Sequence, residues 1–163
     1  MLIHSSRYPT TLEADRKRFT TAGKSQQFIA FLQTELQPYV ERRYKTNSSK
    51  TLIGQSLGRL LATEILFKKP YLFTKYITIS PSLWWDNGSL LEQTPAVLGP
   101  GFTRQTDVFM EVDANLLAEK LQAAKSSHLR VYFDYLPQED HATITHQAVF
   151  NAFRLLYPAK EQK

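Results

Sequence analysis

The sequence contains no cysteine, which excludes disulfides, thiol catalysis and cysteine-ligated metal sites. No apolar stretch is long enough to span a bilayer, and the amino terminus MLIHSSRYPTT lacks the apolar core of a signal peptide. These absences predict a cytoplasmic chain with no membrane contact. The net charge is +5, yet the basic residues are scattered and form no long run, so a solvated surface explains them and no nucleic-acid motif is present. With 42% hydrophobic and 21% charged residues over 163 positions, the expectation is one ordinary globular domain spanning 1–163. Internal repeats, low-complexity tracts and linkers are all missing.

Glycine is scarce at six residues, and two of the six bracket one serine. The stretch TLIGQSLGRLLATEILFKKP reads as a short buried strand (Thr51, Leu52, Ile53), a tight turn from Gly54 to Gly58, and an apolar-striped helix. This is the pattern of a nucleophile elbow, in which a serine is held on a sharp strand-to-helix turn. Gly54 and Gly58 lack Cβ atoms, so strand and helix can approach closely around a strained Ser56. The backbone N–H of Leu57, at the positive end of the helix dipole, would face an oxyanion. A competing reading is a Gly-Ser turn that joins strand to helix without chemistry.

Along the rest of the chain the first 23 residues are polar, with one helical turn expected near Leu12–Arg18. Phe28, Phe31, Leu32, Leu36, Tyr39 and Val40 recur at helical spacing. Ser25 is the expected N-cap of that helix, and Pro38 predicts a kink or break within it. Further strands are expected at Tyr76–Ser80, Thr106–Val112 and Leu129–Tyr135. Helices are expected around Ser89–Leu98, over Asn115–Ala124 with Leu116, Leu117 and Leu121 inward, and over Ile144–Tyr157 with Val149, Phe150, Phe153 and Leu156 on one face. Such alternation predicts an α/β fold: three αβα layers around a mostly parallel sheet of about four strands.

In open α/β sheets ligands bind beyond the carboxyl ends of the strands. Those ends carry Ser56, then Ser80 to Trp85, then Asp113, then the loop holding His141. Serine needs a base to take its proton, and histidine has the suitable pKa. Of the four histidines, His4 lies in the leader and His128 at a strand entrance on the wrong edge, while His146 shares an apolar helix stripe. His141 follows the fourth strand and is the candidate base. Asp113 lies between Ser56 and His141 in the order Ser, Asp, His that hydrolases of this fold use; capping the next helix is the competing role. Glu139, Asp140 and Asp134 are other acids near the base, and a Ser-His dyad without an acid stays open. Trp84 and Trp85 form either an aromatic wall for substrate or plugs in the core. No cofactor is expected. GQSLGRLL lacks the lysine of a phosphate loop, and no residue set has the spacing of metal ligands, since His141 and His146 stand five apart across a helix start.

The run TLIGQSLGRLLATEILFKKPYLFTKYITISPSLWWDNGSLL resembles the putative-esterase branch of the α/β-hydrolases, which includes esterase D and the siderophore esterases. The tail YLPQEDHATITHQAVFNAFRLLY is similar to that family's segment around its histidine. The resemblance implies a serine esterase acting on a small-molecule ester, with Ser56 as nucleophile, His141 as base and Leu57 N–H as an oxyanion donor; Gln55, Trp84 and Trp85 are the expected substrate-binding residues. It also implies that a dyad can suffice. Departures are Gln55 where the family has histidine, Arg59 where it has glycine, and a shortened stretch after VFMEV. Likeness is to the carboxyl half of such an enzyme only, so strands that supply a second oxyanion donor have no counterpart here; losing one donor costs about 10²–10³ in turnover. The elbow strand would then be an open sheet edge, which predicts self-association or a partner chain there. The alternative to an esterase is a non-catalytic relative acting in binding or assembly.

Overall fold

The computed structural model describes residues 9–20, 22–92, 96–111 and 115–159. Its centre is a four-stranded, wholly parallel sheet in the order β1 (Thr51–Ser56), β2 (Lys75–Pro81), β3 (Thr106–Glu111), β4 (Leu129–Asp134). Around it lie α1 (Glu13–Arg18), α2 (Ser25–Phe31), α3 (Gln37–Arg43), α4 (Leu57–Lys68), α5 (Ser89–Glu92), α6 (Asn115–Ala123) and α7 (Ile144–Leu156). Sequential strands are spatial neighbours, so right-handed crossovers carry α4 and α6 to the same face.

The register shows how strand alternation builds two cores. Leu52, Tyr76, Val108 and Val131 are aligned across the sheet and face the larger core, which holds Ile29 of α2, Leu60, Leu61 and Ile65 of α4, and Leu117 and Leu121 of α6. The next row, Ile53, Ile77, Phe109 and Tyr132, points to the opposite face. There Ile77, Ile79 and Phe109 pack on Ile144, Ala148, Ala152 and Leu156 of α7. Each fully buried isoleucine or leucine contributes roughly 1.5–3 kcal/mol. The αβα layering is therefore present, with α7 alone on the second face among the described residues. That helix lies over β2 and β3, and Ile53 at the β1 edge is left 46% exposed.

Four local expectations are corrected. Phe150 and Phe153 of α7 point outward, at 61% and 41% exposure; the buried stripe is the i, i+4, i+8, i+12 series from Ile144 to Leu156, whose two alanines let the helix lie close to the sheet. Leu116 is likewise exposed, because Leu117 and Leu121 share the inward stripe. Ser25 does not cap α2: it is buried and its Oγ donates to Glu64 Oε1 of α4 at 3.2 Å. Pro38 does not break its helix. A π-helical segment, Leu32–Leu36, joins α2 to α3 just before the proline, and this wider turn absorbs the missing N–H that would interrupt an α-helix.

The leader is tied to the rest of the fold through Trp85 and Asp86. The Trp85 ring is fully buried, meets Phe19 edge-on at 5.1 Å and donates from Nε1 to Pro9 O at 3.2 Å. Asp86 Oδ1 accepts the Thr11 N–H and hydroxyl, each at 2.7 Å, and Oδ2 accepts from Ser89 at 2.8 Å. Among the described residues no helix is long and apolar enough to cross a membrane.

Candidate active site

The elbow begins with a contact that only glycine permits. A Cβ on Gly54 would stand 2.5 Å from Gly58 O, 2.7 Å from Gly58 C and 2.9 Å from Arg59 Cα. The strand thus meets the backbone of the first turn of α4 directly. A Cβ on Gly58 would meet nothing within 4 Å, so close approach depends on Gly54 and not on both glycines. Between them Ser56 takes φ 54° and ψ −121°, a conformation that costs a non-glycine residue of order 1–3 kcal/mol and concentrates at functional positions. The β1–β2 register also shifts between Gln55 and Ser56, so that Ser56 stands opposite Pro81. Leu57 is the first residue of α4, and its N–H belongs to the first turn, where helical N–H groups have no partner within the helix.

The carboxyl ends of the strands gather five residues. Ser56 Oγ lies 3.3 Å from Ser82 Oγ, and Ser82 is buried just beyond β2. His141 stands in the loop between β4 and α7, and that loop reaches back across the sheet edge. Its Nδ1 lies 2.6 Å from Ser80 Oγ on β2, and its carbonyl accepts a long bond, 3.4 Å, from Gln55 Nε2 on β1. Ser56 and His141 are thus brought to one edge through neighbouring serines, without a direct hydrogen bond between them.

The loop owes its shape to Asp140. Its Oδ1 accepts the N–H groups of Ala142 and Thr143 at 2.8 and 3.0 Å. These backbone bonds hold its carboxyl below the usual carboxylate range. Asp140 is therefore spent on the turn into α7, and Asp134 accepts from Asn151 of α7 at 2.7 Å. Asp113 lies outside the described residues. Among the described residues no carboxylate bonds the His141 ring, and no group of three or more His, Cys, Asp or Glu could hold a metal ion.

Of the two tryptophans, Trp85 belongs to the core and Trp84 is 64% exposed beside it, the rings 6.2 Å apart. His146 lies on the surface of α7. His128 precedes β4 at the opposite edge of the sheet, as expected.

Sequence reasoning missed Glu111. This fully buried last residue of β3 accepts the Ser80 N–H on Oε2 at 3.0 Å, and its carbonyl accepts Arg59 Nη1 at 3.1 Å. Arg59 is itself fully buried, so its bulk runs from the first turn of α4 to the end of β3. The available signal was a carboxylate directly after the apolar run Val108–Met110 of a buried strand, a placement that charge rarely takes without a partner. Ser80 and Ser82 stood at the right edge in the sequence but had no stated role.

Comparisons with known proteins identify the family. The family model described as "Putative esterase" matches residues 4–163. The ferri-bacillibactin esterase BesA of Bacillus subtilis is 27% identical over 88% of this chain and 56% of its own length. The chain therefore spans about half the length of the curated relatives it matches. A siderophore enterobactin esterase of Emericella nidulans is 36% identical over 44% of this chain and 24% of its own. Among solved structures, the BES protein from Bacillus cereus superposes with a TM-score of 0.77 at 29% identity, covering 88% of this chain and 60% of that one. An IroE-like serine hydrolase from Shewanella oneidensis gives 0.76 at 26% identity, with 94% and 55% covered. The parallel sheet, the strained serine at the β1–α4 junction and the match along nearly the whole sequence lead to one conclusion: the chain belongs to the putative esterase family.

Proposed function

We propose that this chain is a serine hydrolase of carboxylic esters. The observation that carries the reading is Ser56, held at positive φ between β1 and α4, on the same sheet edge to which the His141 loop returns. In this mechanism His141 takes the Ser56 proton as Oγ attacks the ester carbonyl. The Leu57 N–H then stabilises the tetrahedral oxyanion. His141 passes the proton to the departing alkoxide, leaving an acyl-Ser56 ester that water cleaves by the same steps in reverse. Trp84 and Gln55 flank the substrate. The names of the relatives support siderophore-type esters as the substrate class.

A second reading, a hydrolase-like module acting in assembly, is favoured by one observation: Ser56 Oγ lies against Ser82, not His141. The outer edge of β1, unpaired by any strand among the described residues, fits it. The strand TLIGQS carries no charge and no proline to oppose pairing. A second copy of this chain could add its own β1 antiparallel across a two-fold axis, extending the sheet to both sides of the contact.

Labelling with a fluorophosphonate probe separates the readings. Expected are a label on Ser56, located by mass spectrometry, its loss in Ser56→Ala, and a strong reduction in His141→Ala together with loss of p-nitrophenyl ester hydrolysis. A folded sample that takes no label would refute the hydrolase reading.

A further inference from the structure

The residue that orients a catalytic histidine is usually a carboxylate on Nδ1. Here that position is taken by a hydroxyl, Ser80 Oγ, at 2.6 Å. We propose that Ser80 is the positioning residue for His141, accepting its Nδ1–H in the place a triad acid would occupy. The inference rests on His141 being the base of the hydrolase proposed above.

Three features show that Ser80 is a fixed support, not a chance neighbour. It is the second serine at a strand end with positive φ, 47° against 54° for Ser56. The β2–β3 ladder ends at Thr78 paired with Met110, so the Ser80 N–H lies beyond it and is taken instead by Glu111 Oε2 at 3.0 Å. Glu111 is fully buried, and Arg59, also fully buried, donates to its carbonyl. The strained backbone of Ser80 is therefore held from beneath by a buried charged pair of residues, which leaves its side chain free to reach the His141 ring.

The chemistry follows from the tautomer. A neutral imidazole carries one proton, and the hydrogen bond made by one nitrogen decides the state of the other. With Nδ1–H donated to Ser80 Oγ, the lone pair is on Nε2, the nitrogen then available to take the Ser56 proton. Among the described residues Asp140 is engaged by the turn into α7 and Asp134 by Asn151. A hydroxyl supports the imidazolium less than a carboxylate does, so Ser80 supplies orientation more than charge.

The test uses Ser80→Gly and Ser80→Asn in the full chain. Glycine adopts positive φ freely and keeps the N–H that Glu111 accepts, so this variant removes the hydroxymethyl side chain and leaves the backbone contact in place. Asparagine tolerates the same backbone region and offers a carbonyl oxygen to Nδ1–H. Two readouts are needed: the His141 tautomer from ¹⁵N chemical shifts of the ring, and the rate of fluorophosphonate labelling of Ser56. Expected are an Nδ1–H tautomer in the parent, its loss in Ser80→Gly with labelling at least about tenfold slower, and recovery of both in Ser80→Asn. An unchanged tautomer in Ser80→Gly overturns the proposal, as does unchanged labelling. The tautomer needs no turnover. A parent that shows the Ser80-dependent tautomer but takes no label would keep the His141 contact and refute the hydrolase reading instead.

Discussion

Replacing Gly54 by alanine tests whether the elbow is built on backbone contact. The added Cβ would sit 2.5 and 2.7 Å from the carbonyl oxygen and carbon of Gly58 and 2.9 Å from Arg59 Cα. Optimal separations for such atoms are about 3.5–4.0 Å, so the overlap is about 1 Å on more than one side. No side chain can rotate to relieve it, because all three of these neighbours are main-chain atoms. Strand and helix must separate, loosening the seat of Leu60 and Leu61 against the sheet. Overpacking of this kind costs typically 1–3 kcal/mol, and backbone obstruction places this case at the upper end. Stiffening the unfolded chain returns roughly 0.4–1 kcal/mol, leaving a net loss of about 2 kcal/mol. Gly58→Ala is the matched control. Its Cβ has open space, and alanine gains about 0.8–1 kcal/mol over glycine within a helix. Urea unfolding followed by far-UV circular dichroism should give a lowered midpoint for Gly54→Ala and an equal or raised one for Gly58→Ala. A Gly54→Ala midpoint within error of the parent, or equal losses in both variants, would refute the contact argument.

Two further outcomes follow from residues away from the elbow. Asp107 is buried and accepts Arg130 Nε and Nη2 at 2.6 and 3.0 Å and Lys75 Nζ at 3.1 Å; burial acts to raise its pKa, but the bonds from Arg130 and Lys75 outweigh it and hold the pKa below the usual value. A depressed folded pKa contributes stability above the unfolded value of about 3.9 that is lost as pH falls through the folded one, so the parent should lose stability more steeply than Asp107→Asn below about pH 4, and parallel urea midpoints across that range would contradict this. At the β1 edge, light scattering at high concentration should show a dimer that Ile53→Lys disrupts, since a charge on an edge strand opposes pairing; a monomeric parent would exclude self-pairing.

How far the sequence revealed all this depended on whether a feature was local. The strands were legible because apolar runs such as YITIS and TDVFME sit between turn signals, and each appears within a residue or so of its expected bounds. The elbow was legible because its constraint is also local: Gly54 must clear a backbone four residues later. The helix faces were read less well. In α7 the eye follows the large side chains Phe150 and Phe153, whereas close packing on a flat sheet selects the small ones, Ala148 and Ala152. Ser25 was assigned to its own helix because capping is local, while its actual partner, Glu64, lies 39 residues away.

The support of His141 was illegible for a stronger reason. Ser80 and His141 are 61 residues apart and Ser80 and Glu111 are 31 apart, so neither pair leaves a periodic trace. Each contact exists because the β2–β3 ladder stops at Thr78 and Met110, two residues short of Ser80, freeing one N–H at the end of a strand. An unpaired N–H there must find an acceptor, and Glu111, the last residue of the neighbouring strand, is within reach. Among the described residues the group that bonds the His141 ring is a hydroxyl, and no pattern of acids in the sequence points to it. Among the described residues the carboxylate next to this contact is Glu111, which accepts the Ser80 N–H and so holds the backbone of the serine that meets the His141 ring.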